Sequence, residues 1–170
     1  NPQDAQNDYD GRGDAADGFD VFGYHVANVT IHVLAALALF GIVRRTLLLP
    51  ALAPRFGDAA TPLAFLCALV WMLHPLQTES VNYLTERTES LMGLFYLLTL
   101  YCALRRWTVA AVIACAAGMA SKESMVTAPL MVVLYDRVFV FDSFRAAFRN
   151  RRGLYAGLAA TWLVLAALMS

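Results

Sequence analysis

Long apolar runs separated by short polar links constrain the fold of this chain more than any other feature. The runs cover about residues 21–43, 61–74, 90–104, 107–120, 124–141 and 154–170. A helix of about 20 apolar residues crosses the ~30 Å hydrocarbon core of a bilayer. The pattern therefore predicts an all-α fold, a polytopic membrane helix bundle of about six spans with the lipid bilayer as a partner.

The composition agrees with a membrane protein and excludes one class of partner. Hydrophobic residues make up 59% of the 170 residues and charged residues 15%, whereas ordinary soluble domains are roughly 45–50% apolar and about 25% charged. The formal net charge is zero. Nucleic acid is therefore not an expected partner, because it requires a basic face.

The first 20 residues differ from the rest of the chain. They interleave aspartates with glycines, a composition too polar to form a core of its own. We predict an acidic, glycine-rich external lead over residues 1–20 and a transmembrane helix bundle over residues 21–170. Because the chain begins at Asn1 without a methionine and ends at Ser170 inside an apolar run, we expect it to be a piece of a longer protein.

Arginines orient the predicted spans. They flank the links after the first, third and fifth runs, at Arg44, Arg45, Arg55, Arg105, Arg106, Arg145, Arg149, Arg151 and Arg152. Links rich in Lys and Arg remain on the cytoplasmic side. The acidic lead, the polar segment 75–89 and residues 121–123 are then predicted on the opposite, external face, which is the periplasmic face if the membrane is a bacterial inner membrane.

The polar segment 75–89 allows two interpretations. If it is helical, Glu79, Tyr83 and Glu86 lie on one face, where carboxylates would hold a divalent metal or a base near a hydroxyl acceptor. Arg87 beside them would pair with a phosphate. An amphipathic interfacial helix with charge pairs three or four residues apart explains the same spacing. Spacing alone does not choose between these two interpretations.

The remaining polar side chains also allow more than one interpretation. Lys122 would bind a phosphate as a point charge, or it belongs to a turn in which Glu123 caps the next helix. His74, before Pro75, is a candidate proton carrier or a polar plug at the end of a span. His25 and His32 are expected to share a helix face that points into the bundle or a wet cavity.

Four segments in order resemble one enzyme family. YHVANVTIH at residues 24–32, HPLQTESV at 74–81, RTESL at 87–91 and SKES at 121–124 are similar to segments of the transmembrane and tetratricopeptide-repeat O-mannosyltransferases and their bacterial relatives. The resemblance covers about residues 24–136.

The resemblance implies a fragment with a GT-C-type fold, that of polytopic enzymes that move a sugar from a polyprenyl-phosphate donor to an acceptor at the external face. In that picture Lys122 and Arg87 lie near the donor phosphate. The polar wall of the cavity is formed by His25, His32, His74, Glu79, Glu86 and Glu123. The donor is then the ligand expected here, and a divalent metal is an open expectation.

The chain departs from the family in one respect. The acidic catalytic motif that the family carries in its first external loop has no clear counterpart here, so no catalytic residue is predicted. Two functions therefore stay open. One is a fragment or truncated relative of a glycosyltransferase acting on a mannose-like sugar. The alternative is a non-catalytic transmembrane subunit, a degenerate bundle packed against other membrane subunits in a larger complex, for example an energy-transducing one.

Overall fold

The computed structural model describes residues 2–74 and 87–169, and over these residues every regular element is helical. This confirms the all-α prediction. The α-helices are α1 (Pro2–Leu47), α2 (Ala53–Phe56), α3 (Ala60–Leu73), α4 (Arg87–Leu104), α5 (Thr108–Ser121), α6 (Ala128–Tyr135), α7 (Phe144–Asn150) and α8 (Arg152–Met169). A 3-10 turn (Glu123–Thr127) precedes α6 and a π-helical turn (Asp136–Val140) follows it.

Helix α1 is a single long element that includes the acidic lead. The backbone of residues 2–20 is helical and continuous with the apolar run. Arg44 and Arg45 lie in the last turn, where positive charge interacts favourably with the helix dipole. Thr46 Oγ1 donates a 2.8 Å hydrogen bond to the carbonyl of Ile42, which leaves its hydroxyl turned back along the helix.

Helices α4 and α5 form a hairpin with a tight corner. The chain turns through Arg105 and Arg106, and the N–H of Trp107 donates a 2.9 Å hydrogen bond to the carbonyl of Cys102. Arg106 has a φ of 61°, in the left-handed region that residues other than glycine seldom adopt. The corner therefore stores some backbone strain to bring the two helices side by side.

A sharp bend follows α6. Pro129 lies in the first turn of α6, where its missing N–H costs nothing. The segments Glu123–Val140 and Phe144–Asn150 meet at 109°. Ser143 caps α7, since its Oγ accepts a 3.2 Å hydrogen bond from the N–H of Ala146. The bend returns the chain to the bundle at α8.

The helices pack through small side chains. Helix α1 packs against α3 and α4, α4 against α5, and α5 against α8. Alanines make up much of the buried interior: Ala35, Ala36, Ala38, Ala60, Ala64, Ala68, Ala103, Ala111, Ala114, Ala128 and Ala147. Small residues at helix interfaces let backbones approach closely, which is a feature of helix association in membranes.

Large apolar side chains lie on the outside of the same helices. Among the most exposed are Leu37, Phe65, Val109, Ile113 and Leu163, each at least 60% accessible. Soluble monomers rarely expose extensive apolar surface. A membrane location is therefore plausible for this bundle, because lipid would cover that surface.

Helix lengths do not establish six spans. Within the described part of the chain, one helical segment, His25–Leu47, is long and apolar enough to cross a bilayer. A second qualifies if the bent pair after Lys122 is counted as one span. The 14-residue helices α3 and α5 each extend about 21 Å at 1.5 Å per residue, less than the ~30 Å core. The six-span bundle therefore stays a prediction.

The alanine interior can be tested on α3, where Ala64 is fully buried and Leu66 is 55% exposed. Ala64→Leu is expected to lower the free energy of unfolding by about 1–3 kcal/mol, because extra methylenes do not fit a closely packed interface. Leu66→Ala should change it by no more than about 0.5 kcal/mol. Unfolding of both variants in the same detergent would measure this, and equal effects would contradict the assigned inner face of α3.

Candidate functional site

The predicted phosphate-binding lysine lies at the end of the α4–α5 hairpin opposite to its corner. Lys122 follows the last residue of α5, and Glu89 lies in the first turn of α4. Because the two helices are antiparallel, the end of α5 comes beside the start of α4. Lys122 Nζ forms an ion pair with Glu89 Oε1. We call this pair and its surroundings the lysine end of the bundle.

The lysine–glutamate pair is accessible. The side chain of Lys122 is 38% exposed and that of Glu89 is 49% exposed. Ion pairs at such exposure contribute about 0–1 kcal/mol to stability, so the fold does not depend on this one. The ammonium is held in place by Glu89 yet open to an incoming anion. Glu123, the next residue, begins the 3-10 turn and is exposed.

The predicted histidines occupy different environments. His25 is exposed and His32 is half-buried. The ring of His32 stacks on Trp71 with centroids 5.0 Å apart, and its Nε2 lies 3.1 Å from the carbonyl oxygen of Met72. His74 follows the last residue of α3 and is exposed. His32 therefore links α1 to the end of α3, and His74 is the next residue after α3. His25 is more exposed than His32.

Part of the predicted site cannot be placed. Glu79 and Glu86 lie outside the described residues, and of Arg87 only its backbone, at the start of α4, is described. The metal hypothesis rests on those carboxylates. Where the structure describes side chains, no group of three or more His, Cys, Asp or Glu residues is arranged to hold a metal ion. The metal prediction and the proposed roles of these residues stay predictions.

A buried polar cluster lies at the other end of the bundle. Asp136 is 1% exposed and forms an ion pair with Arg151, which is 8% exposed. Arg151 Nη1 donates to both carboxylate oxygens at 2.9 Å, and the hydroxyl of Tyr155 donates to Asp136 Oδ2 at 2.6 Å. The cluster joins the π-helical turn to the start of α8. It closes the bend after α6.

This cluster is only indirectly indicated by the residue pattern. An aspartate late in an apolar run requires a partner if it is buried, and the nearest cation in sequence is Arg137. Arg137 instead approaches the ring of Phe144 at 5.7 Å and the carbonyl of Phe141 at 3.5 Å. The bend brings Arg151 to Asp136 from 15 residues away.

Removing the buried carboxylate is expected to destabilise the bundle. Asp136→Ala should lower the free energy of unfolding by about 3–5 kcal/mol, because it leaves Arg151 charged and buried. Asp142→Ala, at a neighbouring exposed aspartate, should change it by no more than about 0.5 kcal/mol. Thermal unfolding in detergent would measure both.

A double variant isolates the electrostatic cause. Asp136→Leu combined with Arg151→Met removes both charges and should recover most of the lost stability. If the double variant is as unstable as Asp136→Ala, the loss does not come from an uncompensated buried arginine.

The chain is similar to curated protein O-mannosyl-transferases. It is 32% identical over 140 residues to Protein O-mannosyl-transferase tmtc2 of Xenopus laevis and 29% identical over 139 residues to Protein O-mannosyl-transferase TMTC2 of Homo sapiens. Both alignments cover 75% of this chain. Protein O-mannosyl-transferase Tmtc2 of Drosophila melanogaster is 33% identical over 133 residues. The similarity supports the resemblance to this family that the four segments indicated.

The alignments cover a small part of those relatives. They span 15% of the Xenopus and human proteins and 13% of the Drosophila protein. No protein-family model matches the chain, and no solved structure matches it.

Proposed function

We propose that this chain is part of a membrane-embedded glycosyltransferase that moves a mannose-like sugar from a polyprenyl-phosphate donor to an acceptor. In this proposal the lysine end contributes to the donor-phosphate site. The observation that carries the proposal is the accessible Lys122–Glu89 pair. It joins two of the segments that resemble the family, RTESL at residues 87–91 and SKES at 121–124.

Electrostatics explains why this pair suits a donor lipid. A phosphate carries more negative charge than one carboxylate and offers several acceptor oxygens, so it competes with Glu89 for the ammonium of Lys122. The lysine is close to its working position before the donor arrives, which lowers the ordering cost of binding. Glu89 then acts as an internal substitute for the phosphate, and its release accompanies binding.

The predicted membrane orientation is part of this proposal. The arginine-rich links stay in the cytoplasm and the lysine end faces outward, the periplasmic side if the membrane is a bacterial inner membrane. The donor's polyprenyl chain would lie along the exposed apolar surface of the helices, and its phosphate would lie at the membrane surface. The names of the relatives support mannose as the sugar class.

Opposite effects of two substitutions test this role. Lys122→Ala should weaken binding of a polyprenyl-phosphate mannose about tenfold, because a charge-assisted hydrogen bond is lost. Glu89→Gln removes the competitor and keeps the lysine, so binding should be unchanged or tighter. Equilibrium binding of the labelled donor to the purified chain in detergent measures both, with Arg55→Ala as the control cation away from the lysine end.

The same experiment separates this role from its alternatives. If the pair only joins α4 to α5, both substitutions should weaken binding equally. If the chain binds no donor and instead purifies in fixed ratio with other membrane proteins, it is a non-catalytic subunit and the proposal is wrong.

A further inference from the structure

A half-open cavity of about 310 Å³ lies at the end of the bundle opposite Lys122. Four separate segments line it: the end of α1, the corner of the α4–α5 hairpin, the turn after α6 and the start of α8. Its polar wall consists of Arg44, Arg45, Arg106, Tyr135, Asp136 and Arg151. Leucine and valine side chains form the rest of the wall. We call it the arginine cavity.

The arginine cavity has an excess of positive charge. Its one carboxylate, Asp136, already accepts hydrogen bonds from Arg151 and from Tyr155. Among the residues whose side chains the structure describes, the other three arginines, Arg44, Arg45 and Arg106, form no ion pair. Three guanidinium groups thus converge on the cavity without a matching anion among these residues.

The side chains of Arg44 and Arg45 are held in place by neutral groups, not by carboxylates. Arg44 Nε donates a 3.0 Å hydrogen bond to Thr61 Oγ1, and the guanidinium of Arg45 lies 5.9 Å from the ring centre of Tyr101. Such contacts orient a guanidinium and leave its charge in place. Arg106 lies at the corner of the α4–α5 hairpin, with its backbone in the left-handed region. Backbone strain of this kind concentrates at ligand sites.

The floor of the arginine cavity is rigid. Asp136 and Arg151 are buried and joined by two hydrogen bonds. The hydroxyl of Tyr135 lies 2.6 Å from Thr46 Oγ1, which links the turn after α6 to the end of α1. The end of α1, which carries Arg44 and Arg45, is therefore fixed relative to the turn after α6 and to Arg151, as a preorganised anion site requires.

We propose that the arginine cavity binds a phosphate group, carried by an anionic phospholipid or present as free phosphate. Guanidinium groups match phosphate oxygens in a bidentate geometry. The cavity has room for one phosphate and the start of its ester. Leu48, which lines the cavity and is exposed, offers an apolar contact at its rim and favours the lipid as the source.

Simple attraction between helix-end arginines and lipid headgroups is the alternative to a built site. Arg105 separates the two, because it is adjacent to Arg106 in sequence but is not among the residues that line the cavity. Its guanidinium lies 4.6 Å from the ring centre of Trp107 and 6.0 Å from that of Tyr101. Non-specific attraction should weaken equally when either arginine is neutralised. A built site should respond to Arg106 and not to Arg105.

Native mass spectrometry of the purified full chain in detergent tests the proposal. The lipid probes are phosphatidylglycerol and, as the zwitterionic control, phosphatidylcholine. Binding of inorganic phosphate alone is measured separately by isothermal titration calorimetry. We expect retention of phosphatidylglycerol over phosphatidylcholine. Arg44→Gln and Arg106→Gln should each weaken the retained anion about tenfold, whereas Arg105→Gln should leave it unchanged. Arg106→Lys should weaken binding less than Arg106→Gln does, because lysine keeps the positive charge but cannot donate two parallel hydrogen bonds as a guanidinium does.

Each outcome bears on the proposal. Selective loss with Arg44→Gln or Arg106→Gln supports it; the probe retained, phosphatidylglycerol or inorganic phosphate alone, then identifies the source. An equal loss with Arg105→Gln overturns it. So does equal retention of phosphatidylcholine and phosphatidylglycerol, or failure of both phosphatidylglycerol and inorganic phosphate to bind a chain whose thermal unfolding is intact. The result is independent of the sugar-donor proposal, because α5 places its two ends about 21 Å apart.

Discussion

Close contact between helix backbones is the constraint on which the rest of this structure depends. Alanines with little or no exposure, such as Ala64, Ala103 and Ala111, occupy the positions where α3, α4 and α5 meet their neighbours. With only a methyl group between them, two helices gain dispersion contacts along their whole length. The larger apolar side chains must then point outward, and the exposed surface of the bundle follows from the composition of its interior.

The α4–α5 hairpin separates two kinds of electrostatics. At one end, an accessible lysine is matched by a single glutamate. At the other, several arginines surround a buried carboxylate that neutralises only one of them. Because α4 and α5 are antiparallel and of similar length, neither end can shift along the helix axis without moving the other. The two proposed anion sites are thus fixed at opposite ends of one rigid unit.

The helices of the long apolar runs could be predicted from the sequence, and so could one of the two ion pairs in principle. The helical backbone of residues 2–20 and the short helices α2 and α7 were not predicted. Glu89 lies 16 residues before Arg105 and Lys122 lies 16 residues after Arg106. An antiparallel hairpin with its corner at these arginines brings the two side chains level. The pairing is visible only when residues 75–89 and 121–123 are considered together. The number of spans was not predictable in the same way, because apolar composition does not distinguish a full span from a helix about 21 Å long.

The partner of Asp136 was beyond a reading of local pattern. It depends on a π-helical turn, on a bend of 109° and on the return of α8 to the bundle. The spacing of apolar residues along the sequence predicts none of these three features. Arg137 is nearer in sequence but points elsewhere. Likewise, the convergence of Arg44, Arg106 and Arg151 requires three separate chain segments to come together at one place. The arginine pattern predicts that these residues lie on one side of the membrane, and only the fold shows that they share a cavity.

The buried Asp136–Arg151 pair also restricts how this corner of the molecule can change over evolutionary time. An apolar pair of similar volume would be tolerated, so the present residues are one of at least two stable solutions. Any route between the two by single substitutions passes through a protein with one unmatched buried charge. Such an intermediate would lose a large share of the 5–15 kcal/mol by which domains are ordinarily stable. The residues at positions 136 and 151 are therefore expected to co-vary, so that related chains keep both charges or neither.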